Sequence, residues 1–104
     1  MELTIEQAIN LHMGFVDFTR VRILNIILEG RVTVTDIYTT LDILQTKASR
    51  HLMLLRKYGL VKFAKEGKEV YYYITPRYRN FVEQNLSLIN DSRLSLDRTL
   101  LLKS

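Results

Sequence analysis

Gln45, Thr46, Lys47, Ser49, Arg50 and His51 crowd six hydrogen-bonding side chains into seven consecutive positions, with only Ala48 among them. Their chemistry is recognition. Gln45 can pair with adenine and Arg50 with guanine N7 and O6, or either can hold a phosphate; Thr46 and Ser49 suit phosphates or base edges. Bond-making chemistry fits poorly. The chain has no cysteine to act as nucleophile, and the neighbours Ser49, Arg50 and His51 would point apart on a helix, so they make no triad. An enzyme is not expected.

The stretch continues into leucines, and at 100° per residue it divides cleanly. Ala48, Leu52 and Leu55 fall on one side, Thr46, Arg50 and Lys57 on the other. A helix entering the major groove needs this division: an apolar side anchored to its domain, and short or cationic groups facing outward. Charge follows the same logic. Residues 45–79 carry nine basic and two acidic residues, a local excess of +7 in a chain whose net charge is +4. An acidic body with a basic middle is the footprint of a nucleic-acid binder.

The elements that must position this stretch can be read around it. Thr4 and Gln7 form a capping box, after which Ile5, Ala8, Ile9, His12 and Val16 recur at helical spacing to about residue 16. A second helix is expected from about Thr19, with Val21, Leu24, Ile27 and Leu28 inward and Gly30 as its stop. Thr33 to Asp36 is a second capping box, opening a short helix with Ile37 and Leu41 buried. Asp42-Ile43-Leu44 makes a corner. The recognition helix follows and ends at Arg56-Lys57-Tyr58-Gly59, where cations suit the negative helix end and Gly59 suits a left-handed turn.

Beyond Leu60 the period becomes two. Residues 60–65 and 68–74 flank Glu66-Gly67 as a β-hairpin, whose tip would carry Lys65 and Lys68 to a neighbouring minor groove or its phosphates. Thr75 and Pro76 suit the N-cap and first position of a final helix. Tyr78, Phe81, Val82, Leu86 and Ile89 line one side of it, and Asn90-Asp91-Ser92 interrupts it before a leucine-rich tail. The fold class is therefore mainly α with a small β-hairpin, a winged helix-turn-helix, in a single domain spanning 1–104.

Composition bounds the rest. With 47% hydrophobic residues and one proline in 104 residues, the chain can bury a core. A domain this small is marginal alone, and leftover apolar residues at both ends point to a homodimer: Ile5, Ile9 and Val16 early, Phe81, Val82 and Ile89 late, with His12 packed or at the interface. The absence of cysteine excludes disulfides and thiolate metal sites, and no metal or other cofactor is expected. The acidic start MELTIEQAIN does not read as a signal peptide. No apolar run reaches the ~20 residues needed to cross a bilayer, so no membrane partner is expected and the cytoplasm is the expected location.

DFTRVRILNIILEG, VTDIYTTLDILQTKASRHLMLLRKYGLV and KEGKEVYYYI resemble, in order and spacing, the ArsR/SmtB family of winged-helix repressors over roughly residues 15–75. The resemblance implies dimerisation through the first and last helices, repression by occupying operator DNA until an effector binds, and DNA-facing positions at Gln45, Thr46, Lys47, Ser49 and Arg50, with His51 added. Departures are instructive. The segment matching the family's cysteine metal ligands, Arg31–Asp36, has none, and residues 76–104 contain no histidine, so a metal-responsive mechanism is not expected. Phe18 stands where the family has proline, Asp42 where it has glycine, and Leu44 where it has a Ser or Thr cap.

Together these readings predict a dimeric, sequence-specific transcriptional repressor of the ArsR type binding a palindromic double-stranded operator, its effector unassigned. The competing reading is a winged helix that binds protein instead of DNA; Lys47, Arg50 and Lys57 on the outer helix face speak against it.

Overall fold

The computed structural model of the chain describes residues 2–103. The elements are α1 (Ile5–Met13), α2 (Phe18–Ile27), α3 (Val34–Leu41), α4 (Gln45–Lys57), β1 (Val61–Glu66), β2 (Glu69–Ile74), a 3-10 turn (Pro76–Tyr78), α5 (Arg79–Ser87) and α6 (Ser92–Lys103). Both capping boxes form: Thr4 with Gln7 and Thr33 with Asp36 each exchange side-chain and backbone hydrogen bonds. None of these helices is long and apolar enough to cross a membrane.

Some boundaries differ from the sequence reading for local reasons. α1 ends at Met13, where the chain turns before Asp17 caps α2 by accepting from the Thr19 and Arg20 amides. Val16 therefore lies in that turn, off the helix. Gly14 is buried in the turn, and a methyl group in its place would sit 2.2 Å from a Leu60 methyl. The hairpin loop is Gly67-Lys68, one residue later than expected, because Glu66 still pairs with Glu69 and Gly67 takes the positive φ of 61° at the first loop position. Thr75 does not cap the following turn. Its hydroxyl donates to the Gly59 carbonyl at 2.6 Å, tying the base of the hairpin to the end of α4.

α2 is the axis of the core. Ile23, Leu24, Asn25, Ile26 and Ile27 are consecutive and all fully buried, so this stretch is enclosed on every side, unlike a helix with one wet face. The second wall is α6, which the break at 88–91 lets fold back against α2 and α3. Leu94 and Leu101 pack against the core, and polar contacts fix the helix in place. Arg22 makes a bidentate pair with Asp97, both contacts at 2.8 Å, and Asp97 is almost fully buried. Asn25 donates to the Leu94 carbonyl at 3.0 Å and accepts from Arg98 at 2.8 Å, which satisfies an amide otherwise stranded in the core.

Candidate nucleic-acid interface

α4 is held by its own apolar side. Ala48, Leu52 and Leu55 are no more than 1% exposed and pack toward α2 and α3. The corner that aims it needs a left-handed residue, and Asp42 supplies it at φ 54°, ψ 53°, a conformation Asp tolerates better than most residues. Leu44 occupies the N-cap position without any side-chain cap, and the first turn of α4 carries no acid.

Outward from this anchor stand Gln45, Thr46, Lys47, Ser49 and Arg50, all exposed. Among the described residues, none of these side chains makes a hydrogen bond or ion pair with the rest of the chain. The structure thus brings five of the six α4 residues together on one open face.

His51 is the exception, and the expectation that it faces DNA is corrected. It is 5% exposed, turned into the seam between α4 and the start of α2. Its Nε2 lies 3.8 Å from the Asp17 carboxylate, and its buried Nδ1 has no hydrogen-bond partner among the described residues. Burial pushes the imidazole below its ordinary pKa, and Asp17 only partly opposes this while Arg20, Arg50 and Lys47 add to it. Asp17 itself is held below the usual carboxylate range. Burial works against that, but the Arg20 amide, the charges of His51 and Arg20 and the Thr19 amide outweigh it.

The hairpin is braced from behind. Val32, just before α3, exchanges two backbone hydrogen bonds with Tyr72, at 3.0 and 2.7 Å. Arg31 pairs through Nη1 and Nη2 with the two Glu66 carboxylate oxygens and lies 4.9 Å from the Tyr71 ring centroid. Glu66 and Glu69 face each other across the strands, an arrangement that repels; the Arg31 hydrogen bonds and charge counter it and hold Glu66 below the ordinary carboxylate pKa. Lys65 and Lys68 stay exposed at the tip and unpaired among the described residues, and Tyr71 and Tyr73 are half-buried.

The apolar ends behave unevenly. Ile5, Ile9 and Val16 are 76%, 57% and 65% exposed, and Ile89 is 38% exposed. Exposed His12 meets Phe81 edge-on at 5.4 Å, so α1 and α5 are neighbours, and Phe81 is half-buried there. Val82 is corrected: at 0% exposure it belongs to the core of its own chain and has no surface to offer a second copy.

Comparison with known proteins agrees with this architecture. The profile of the family described as bacterial regulatory protein, arsR family, matches residues 17–62. The arsenical resistance operon repressor of Escherichia coli is 46% identical over 61 residues, 58% of this chain and 52% of that protein. An uncharacterized HTH-type transcriptional regulator of Methanocaldococcus jannaschii is 40% identical over 70 residues, 66% of this chain and 79% of that protein. Among solved structures, HlyU from Vibrio cholerae superposes with a TM-score of 0.74 at 28% identity, over 85% of this chain and 97% of the other. A domain from Mycobacterium bovis, described as a homodimeric winged helix-turn-helix DNA-binding domain, gives 0.74 at 25% identity over 80% and 78%. The chain spans about half the length of the E. coli repressor and of a Staphylococcus aureus CadC homologue, 52% and 47%. With the same helix–corner–helix–hairpin order, this chain belongs to the ArsR family of bacterial regulatory proteins.

Proposed function

We propose that the chain is a dimeric, sequence-specific DNA-binding transcriptional regulator of the cytoplasm, acting as a repressor. The observation that carries this reading is the open face of α4: five polar or cationic side chains, unpaired among the described residues, on a helix whose other side is buried. Arg50 is the residue for a base edge, a bidentate contact to guanine, with Gln45 for adenine. Thr46, Lys47 and Ser49 hold phosphates or base edges, and Lys65 and Lys68 reach the flanking minor groove or its backbone.

Dimerisation uses the exposed apolar residues of α1, Ile5 and Ile9, with Val16, Ile89 and the exposed edges of His12 and Phe81. Its support is that exposure and the homodimeric state given for the M. bovis domain. A two-fold dimer presents two copies of α4 to major grooves about one turn, ~34 Å, apart on a palindromic operator. The chain contains no cysteine, so any effector that releases it does so without thiolate ligands.

Selection from random duplexes with the purified protein tests the reading. A palindromic consensus with half-sites one turn apart is the expected result, bound far more weakly as salt rises. Recovery of unselected sequence, together with a monomer in sedimentation, would remove the proposal and leave protein recognition as the use of the fold.

A further inference from the structure

Beyond α4's outer face and the hairpin tip, the surface between helix and hairpin is also cationic. The C-terminal half of α4 and the first residues of β1 border an open groove of about 520 Å³, lined chiefly by Met53, Arg56, Lys57, Lys62, Phe63 and Tyr73. Arg56, Lys57 and Lys62 are exposed, and among the described residues none has a carboxylate within 4.0 Å. Met53 is 60% and Phe63 44% exposed, which leaves apolar surface between the three cations. The Arg56 guanidinium lies 4.2 Å from the Phe63 ring centroid.

A duplex offers one occupant that matches this lining. Its major and minor grooves are separated by a single sugar–phosphate strand. A protein with a helix in one groove and a hairpin at the next must find room for that strand between the two elements. We propose that the groove between α4 and β1 seats this dividing strand, with Arg56 as its phosphate clamp. The inference rests on the reading of α4 and the hairpin as the DNA-contacting elements.

The chemistry agrees part by part. A guanidinium already stacked on an aromatic ring has lost much of its freedom, so its planar fork meets a phosphate with little further ordering. Lys57 and Lys62 add point charges on flexible stems along the same strand. Met53 and Phe63 give the deoxyribose an apolar surface. None of these contacts reads a base, so the groove contributes affinity and register, not selectivity.

The test uses the full chain with its selected operator and a scrambled duplex, titrated across salt. Arg56→Gln should weaken binding to both duplexes by the same factor, about tenfold for a charge-assisted contact. The combined Arg56→Gln, Lys57→Gln, Lys62→Gln variant should lower the salt slope by about one for each charge removed. Arg56→Lys and Phe63→Leu keep the charge; each should keep the slope yet lose affinity, a pattern that charge alone does not give. If the wild type binds its operator and the triple variant matches it in affinity and slope, the groove lies off the DNA and the inference fails alone. That is also the result expected if the groove serves an acidic peptide. If the wild type binds no duplex, the functional reading fails and takes this inference with it.

Discussion

Two sets of cations in this chain live under opposite conditions. Arg22, Arg31, Arg79, Arg93 and Arg98 each have a carboxylate within 4.0 Å: Asp97, Glu66, Glu83, Asp91 and Glu29. On α4 and the hairpin, Lys47, Arg50, Arg56, Lys57, Lys62, Lys65 and Lys68 have none among the described residues. The first set is all arginine, the side chain whose rigid fork fits a fixed carboxylate. The second is mostly lysine, suited to a diffuse polyanion from which it displaces counterions. Five of the chain's eleven acids thus pair with arginines, while the lysines and arginines of α4 and the hairpin are left without a carboxylate partner among the described residues. Stability and DNA affinity should therefore be separable by mutation.

The largest expected effect is on the bracing side. Asp97→Ala leaves the Arg22 guanidinium, 20% exposed, without its partner, and should cost on the order of 3 kcal/mol in urea unfolding. The salt slope of DNA binding should not change. Next, Arg50→Ala should cost about 1–3 kcal/mol of operator affinity and relax selectivity at one base pair. Its unfolding free energy should stay within about 0.5 kcal/mol of the wild type, since the residue is exposed and unpaired. An Arg50→Ala variant that unfolds early but binds normally would break the comparison.

Arg31 tests the boundary between the sets, because its pair with Glu66 braces the hairpin but is half exposed on both sides. Arg31→Ala should cost little stability, as expected for an exposed ion pair. Its effect on DNA affinity should exceed its effect on unfolding, because it frees an acid at the hairpin tip.

The smallest effect is on pH dependence, since Asp17 offsets part of the burial at His51. Burial holds the folded imidazole below its ordinary value of about 6.5. Below that pH the unfolded chain takes up a proton that the folded chain resists, so stability is full above it and falls as the pH drops. Thermal melts at pH 7.5 and 5.5 should show the loss, and His51→Asn should flatten it.

What could be read in the sequence was local. The capping boxes at Thr4 and Thr33, the corner at Asp42 and the divided face of α4 each depend on residues within about one helical turn. His51 was misplaced although the signal was present: it lies three residues after Ala48 and four before Leu55, on the buried side of the same helix. Val82 is a similar case, four residues from both Tyr78 and Leu86, which are themselves buried. The docking of α6 had no local sign. Arg22 and Asp97 are 75 residues apart, and only an asparagine inside an apolar run and an aspartate inside a leucine-rich tail hinted that the two would meet. The Arg31–Glu66 brace, 35 residues apart, was hidden for the same reason.

Amide shifts followed by NMR as the operator is added to the dimer test the central claim most directly. Perturbations concentrated in residues 45–57 and 61–68, with α6 and its Arg22–Asp97 attachment unmoved, are the predicted result. Shifts centred on α2 and α6, with α4 silent, would contradict it.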